Sequence, residues 1–277
     1  MKFTKMHGLG NDYIYVNTAK EPVADAPALA KRLSDRHFGV GSDGLILINP
    51  SSVADFEMEM YNADGSRGKM CGNGIRCVGK YVYDRGLTDR THLTIETLAG
   101  IRTLDMTAEN GKVTQVRVDM GAPVFEPALI PVNADGDRVL DQEMSVAGGT
   151  WRISCVSMGN PHCIVPVDDP DTFDLEHIGP RFESDPLFPE RVNTEFIRVE
   201  DEHTVRMRVW ERGSGETFAC GTGACAVAVA CAANGWTQDT VRVRLRGGDL
   251  TVEWDRAHNT VYMTGPATTV FEGEIEV

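Results

Sequence analysis

The 277-residue sequence has no run of about 18 consecutive apolar residues, the length a bilayer-spanning helix needs, and its longest candidate, Ala224 to Ala233, is far shorter. A helical membrane protein is therefore not expected. The opening segment Met1-Lys2-Phe3-Thr4-Lys5-Met6-His7-Gly8 lacks the apolar stretch of a secretory signal. A reducing cytoplasm is the expected location, with the seven cysteines as thiols. Close Cys-x-x-Cys pairs are also missing: Cys71 and Cys77 lie six apart, and Cys220, Cys225 and Cys231 lie five and six apart. Structural zinc sites use tighter spacing, so no metal site is expected. Positive charge is scarce, with 27 Lys and Arg against 41 Asp and Glu and a net charge of -14. Such a chain repels a phosphate backbone, which argues against nucleic acid as a partner. No Pro/Gly/Ser-rich linker interrupts a composition that is 42% apolar and 25% charged. The whole chain is expected to fold, and its length suits two domains.

What is present is a duplication. Cys71-Gly72-Asn73-Gly74 recurs as Cys220-Gly221-Thr222-Gly223, an offset of 149 residues. The same offset carries Gly10-Asn11 onto Gly159-Asn160, Val16 onto Val165, Val78 onto Val227 and Gly86 onto Gly235. Several small motifs held in one register point to gene duplication followed by divergence. The segment from Asp55 to Tyr61 alternates polar and apolar residues, as does its counterpart from Thr204 to Trp210, and both read as half-buried strands. Each strand leads through a polar loop to the Cys-Gly-x-Gly turn, which opens a helix. Ile75, Val78 and Val82 give the first helix one apolar stripe, whereas Ala224 to Ala233 is apolar all round and must be buried. Further short strands are expected after each helix. The fold class is α+β: two pseudo-symmetric strand-rich domains, each wrapped around a central helix. The expected division is 1–119 plus 265–277 for the first domain and 120–264 for the second, with a hinge at Met120-Gly121-Ala122-Pro123 and the chain after Gly265 returning to the first half.

Cys77, Cys155, Cys163, Cys225 and Cys231 read as small buried hydrophobes. Cys71 and Cys220 differ, because each precedes a helix N-terminus. Unpaired N–H groups and the helix dipole there lower a thiol pKa from about 8.5 toward neutrality, and the same N–H groups hold a carboxylate. Two similar domains about a pseudo-twofold axis would set the two thiols across one cleft. Inverting a tetrahedral carbon needs a base on one face and an acid on the other, which a thiolate and a thiol supply. The backbone amides of Gly72, Asn73, Gly221 and Thr222 would then stabilise negative charge on the substrate's carboxylate. The scheme calls for no cofactor.

Rival readings account for fewer of these residues. Gly221-Thr222-Gly223-Ala224-Cys225-Ala226 matches a loose dinucleotide fingerprint, but about ten residues separate it from the preceding strand, whereas that motif follows its strand directly. A cysteine hydrolase using His162 leaves the duplicate thiol idle. A thiol-redox or zinc-binding module is the non-enzyme alternative.

Six motifs in order carry a family resemblance: Met6 to Asp12, Tyr61 to Ser66, Met70 to Cys77, Ser157 to His162, Pro189 to Asn193 and Glu211 to Gly223. From end to end the chain resembles the diaminopimelate epimerase family. Proline racemase and its relatives share the Cys-Gly-x-Gly turns but usually lack the Asn62 and Glu211-Arg212 segments in this form, so racemisation of proline or hydroxyproline is the second reading. The resemblance implies interconversion of LL- and meso-diaminopimelate in lysine and cell-wall precursor synthesis. It matches Cys71 and Cys220 to the acid/base pair. It also implies substrate contacts from Asn11, Asn62, Asn160, Asn193, Glu211 and Arg212, a supporting role for His162, and a homodimer. A ligand with an ammonium and a carboxylate at each end suits these types, since Arg212 can grip a carboxylate as a fork and Glu211 can accept from an ammonium. Two positions depart from the family: Gly44 stands where many members have glutamine, and Phe271 stands where some have a tyrosine linked to dimer contacts.

Overall fold

The computed structural model describes residues 1–276, and the chain divides into two compact units: Met1–Val118 with the chain from Thr264 onward, and Asp119–Met263. In the first unit, strands Lys2–Gly8 and Asn11–Asn17 form an antiparallel hairpin. Its two-residue turn, Leu9-Gly10, has positive φ at both positions, the twist that a tight hairpin requires. The chain then crosses over through helix α1, Ala26–Ser34, to strand Gly44–Asn49, which runs parallel to Asn11–Asn17. Asp25 starts α1 by accepting a hydrogen bond from the Ala28 amide at 3.0 Å, and Ala30 and Leu33 turn its apolar face onto Ile14, Val16, Leu45 and Leu47. Strand Phe56–Asn62 follows antiparallel and leads through the short strand Arg67–Gly68 to helix α2, Gly72–Asp84.

The second unit repeats this order. A hairpin of Gly149–Ser157 and Pro161–Pro166 turns at Gly159, and a crossover through helix α3, Leu175–Glu183, reaches the parallel strand Asn193–Asp201. Thr204–Glu211, the short strand Gly215–Thr217 and helix α4, Gly221–Ala233, complete the match. Register is kept along with order: Tyr13 pairs with Gly44 in the first unit and His162 pairs with Asn193 in the second, each 149 residues on. The strand after each central helix pairs in parallel with the strand before it, His92–Glu96 with Phe56–Asn62 and Thr240–Leu245 with Thr204–Glu211. The last strand, Thr268–Glu274, pairs antiparallel with Lys2–Gly8 and so belongs to the first unit.

Divergence is visible in one ion pair. Glu59 and Arg67 lie 3.4 Å apart on the hairpin before the first thiol, and the matching positions of the second unit carry Arg208 and Glu216, 2.7 Å apart. The charges have changed places while the pairing has stayed. The central helices also differ. α2 is buried on all sides from Gly72 to Gly79 and only at Val82 beyond, whereas α4 is buried at every position from Gly223 to Ala232, as its uniform apolarity requires.

Helices α1 and α3 lie outside the elements expected from periodicity. α1 is only nine residues long and begins with Pro27 in its first turn, and α3 has Pro180 in its interior. Packing holds α3 in place: Phe182 meets Phe196 edge-on at 5.5 Å, and Phe196 stacks on Phe173 at 4.4 Å. Phe196 is wholly buried in this cluster. Phe196→Ala is therefore expected to cost about 3–5 kcal/mol of stability. Denaturant unfolding that showed a loss below about 1 kcal/mol would mean the cluster does not anchor α3.

Candidate active site

Both thiols occupy the cap position of a central helix in extended conformation, Cys71 with φ -131° and ψ 117° and Cys220 with φ -114° and ψ 111°. At the fourth residue of each Cys-Gly-x-Gly turn the helix comes close to the strand beside it. A Cβ on Gly74 would lie 2.6 Å from Ile46 Cδ1, and one on Gly223 would lie 2.5 Å from Glu195 Oε1. Each helix end therefore rests directly on the neighbouring strand.

In the first unit, Cys71 Sγ accepts from the Gly74 amide at 3.3 Å and donates to Asn11 Oδ1 at 3.3 Å. Asn73 Nδ2 donates to the same oxygen at 3.4 Å. The other end of the Asn11 amide donates to Asp43 Oδ2 at 2.8 Å. A carboxylate accepts only, so Asp43 forces Asn11 to turn its carbonyl toward the thiol. Arg36 bridges Asp43 and Asp12 at 2.9 and 3.1 Å, and Lys5 lies 2.8 Å from Asp12. Burial works to raise both carboxyls; Lys5 and Arg36 outweigh it at Asp12 and hold that group below its ordinary value, while the charge of Asp12 adds to burial and leaves Asp43 raised. Behind the turn, Arg76 is wholly buried and donates to Gly72 O, Asn73 Oδ1 and Pro266 O at 3.0–3.1 Å. It thereby fixes the turn against the returning C-terminal segment. Tyr13 lies buried beside Asn11 and Cys71, and burial, with the charge of Cys71, keeps its phenol neutral. Asn62 pairs with Gly44 at the end of strand Phe56–Asn62, and its Nδ2 donates to Ser66 Oγ at 2.9 Å. Gly44 is closed to any side chain, because a Cβ there would lie 2.1 Å from the Tyr61 carbonyl oxygen.

In the second unit, His162 and Glu195 are both fully buried, with Nδ1 2.7 Å from Glu195 Oε1 and Nε2 3.1 Å from Asn160 Oδ1. Asn193 is committed to backbone: its Nδ2 donates to Pro161 O at 2.9 Å and its Oδ1 accepts from the Arg212 amide at 2.9 Å. Arg212 Nη1 donates to Glu190 O at 2.8 Å, and Thr217 Oγ1 donates to Glu211 Oε1. Cys220 Sγ lies 3.6 Å from Thr222 Oγ1.

The expectation that a helix N-terminus lowers the thiol pKa fails at Cys220. Burial pushes this thiol well above its ordinary value, the charge of Glu211 pushes it further, and the Thr222 hydroxyl and Gly223 amide oppose them too weakly. The dipole argument assumed exposure that the packed helix does not provide. Tyr13, Asp43, Arg76 and Glu195 were absent from the expected site. Glu195 carried no clear signal, since the segment Asn193-Thr194-Glu195-Phe196-Ile197-Arg198 mixes polar and apolar residues. Among the described residues, no group of three or more His, Cys, Asp or Glu side chains is placed to hold a metal ion, and no helix is long and apolar enough to cross a membrane.

Solved structures share this duplicated α+β fold. A phenazine biosynthesis protein of the PhzF family from Bacillus anthracis matches with a TM-score of 0.74 at 21% identity, covering 100% of this chain and 99% of that one. A hydroxyproline epimerase from Agrobacterium vitis matches with a TM-score of 0.69 at 17% identity, covering 99% and 90%. At such identities the likeness defines a fold class of duplicated chains. The sequence narrows it: the family model for diaminopimelate epimerase matches residues 3–126 and 154–270. Diaminopimelate epimerases from Acetivibrio thermocellus and Methanococcus maripaludis strain S2 are each 56% identical over 277 residues, covering all of this chain and 99% and 100% of theirs. The chain belongs to the diaminopimelate epimerase family.

Removing the Glu211 charge is expected to lower the Cys220 pKa, since that charge is one of the causes of its elevation. In Glu211→Gln, alkylation of Cys220 by iodoacetamide at fixed mildly alkaline pH should therefore speed up severalfold, approaching about tenfold for a shift of one unit. An unchanged rate, read by mass spectrometry of the Cys220 peptide, would show that Glu211 does not act on this thiol.

Proposed function

We infer that the chain is an isomerase that interconverts LL- and meso-diaminopimelate, the reaction named for its 56%-identical full-length relatives. It serves lysine and peptidoglycan precursor synthesis. The observation that carries the chemistry is the matched placement of Cys71 and Cys220 as helix-capping thiols in a duplicated chain. In this reading one thiol removes the α-proton as a thiolate and the other delivers a proton to the opposite face. The carbanion's charge spreads onto the α-carboxylate, where amides of Gly72, Asn73, Gly221 and Thr222 at the two helix ends stabilise it. The raised pKa of Cys220 suits the protonated partner of the pair, ready to deliver. The proton balance needs only the two sulfurs, and the scheme uses no cofactor.

The polar residues divide the remaining work. Arg212 spends one Nη1 bond on Glu190 O and offers the rest of its fork to the distal carboxylate. Glu211 accepts from an ammonium. Asn11, Asn62 and Asn160 supply neutral donors and acceptors. Asn193 holds the Arg212 backbone with its Oδ1 and keeps one Nδ2 hydrogen for the substrate. The biosynthetic role goes with a cytoplasmic location. A homodimer is supported by Val270 and Phe271, apolar and exposed on the strand Thr268–Glu274.

Purified protein given LL-diaminopimelate, with no addition, is expected to form the meso isomer, and Cys71→Ala and Cys220→Ala should each lose at least roughly 100-fold in rate. Chromatography that resolves the isomers checks this, and near wild-type conversion by either variant would remove that thiol from the mechanism. Arg212→Lys should raise KM by about tenfold or more, because an ammonium cannot make two parallel contacts to one carboxylate. Unchanged kinetics would place Arg212 outside the binding site.

A further inference from the structure

The residues beneath the two thiols have diverged in kind. At the offset that relates Cys71 to Cys220, Ile46 in the first unit becomes Glu195 in the second, and Tyr13 becomes His162. The second unit has thus placed an acid in the middle of a buried strand, against the first turn of α4. Both side chains are fully buried, and Glu195 Oε2 has no hydrogen-bond partner. An ionised carboxylate so placed would leave one charged oxygen unsolvated, whereas a protonated one is neutral and leaves only a weak acceptor unmet. Burial accordingly raises the Glu195 pKa, with Glu211 adding to it and His162 opposing it.

Each nitrogen of His162 faces an oxygen, Nδ1 toward Glu195 Oε1 and Nε2 toward Asn160 Oδ1. The amide oxygen of Asn160 accepts only, so Nε2 must carry a proton. In a neutral ring Nδ1 is then an acceptor, and its donor must be the acid. We propose that Glu195 is a positioning residue: as a neutral carboxylic acid it donates to His162 Nδ1, holds the imidazole proton on Nε2, and makes Asn160 present its amide NH2 to the substrate's carboxylate. The matched asparagine of the first unit is held the other way round, with its NH2 on Asp43 and its carbonyl toward Cys71. The two units thus present opposite ends of the same side chain.

This assignment rests on Asn160 being a substrate contact, and the test separates the two. In protein carrying 15N-labelled histidine, with His162 assigned by its loss in His162→Gln, the ring should show Nε2 protonated and Nδ1 bare. That spectrum needs no turnover, so it decides the assignment of Glu195 to His162 even if diaminopimelate proves not to be the substrate. Glu195→Gln, whose amide N–H can donate to Nδ1, should keep the tautomer and a kcat/KM within about threefold of wild type, while Glu195→Leu should lose roughly tenfold to a hundredfold. In an Asn160→Ala background the same Leu substitution should cost less than about twofold, because the side chain it orients is gone. A doubly protonated ring or a proton on Nδ1 overturns the proposal. So does a Gln variant as impaired as the Leu variant, or a Leu penalty undiminished by Asn160→Ala. If Glu195→Leu fails to fold, the spectrum and the Gln variant decide.

Discussion

The close seating of each central helix on the strand beside it governs the rest of the structure. The first turns of α2 and α4 approach so nearly that a Cβ on Gly74 or Gly223 would meet the ends of the Ile46 and Glu195 side chains at 2.6 and 2.5 Å. That approach places a cysteine at the cap, directs backbone N–H groups outward beside the sulfur, and buries whatever the strand presents underneath. In the first unit this is a hydrocarbon. In the second it is an acid, and there burial, with the charge of Glu211, raises the Cys220 pKa where a bare helix end would lower it.

Much of this was legible in the sequence because the duplication repeats small residues in one register. The Cys-Gly-x-Gly turns, the strands before them and the all-apolar helix from Ala224 onward follow from period and composition, which depend on local geometry and burial alone. Helices α1 and α3 were not legible, since α1 is only nine residues long and α3 contains Pro180; their stability comes from tertiary contacts such as Phe182 on Phe196. Among the candidate site residues, the sequence singled out the asparagines and His162 but not what orients them. Asp43 and Glu195 lie 32 and 35 residues from Asn11 and Asn160, and their effect depends on parallel pairing across a crossover. Gly44 reads in the sequence as a lost side-chain contact, and the structure adds that the position is closed by the Tyr61 carbonyl.

Duplicated catalytic chains face a particular constraint, because inversion needs similar groups on two faces that must be in different protonation states at any moment. This chain keeps the symmetric part, thiol and helix end, and varies the surroundings. Tyr13 and Ile46 answer to His162 and Glu195, Asn62 answers to Glu211, and the ion pair of Glu59 and Arg67 is reversed in Arg208 and Glu216. The supports differ in kind, with Asp43, Asp12 and Arg36 behind Asn11 in the first unit and the buried pair of His162 and Glu195 behind Asn160 in the second, so the two thiols sit in unlike electrostatic surroundings even at rest.

The central claim is that two separate groups handle the proton, one on each face of the carbon. Epimerisation of LL-diaminopimelate in deuterium oxide, stopped early, tests it most directly. Two thiols predict meso product carrying deuterium at the inverted carbon while recovered LL substrate carries little, because the sulfur that removed the proton returns it to its own face and the other delivers solvent label. Label entering substrate and product at equal rates, or product that keeps its original proton, would mean a single base and would contradict the account.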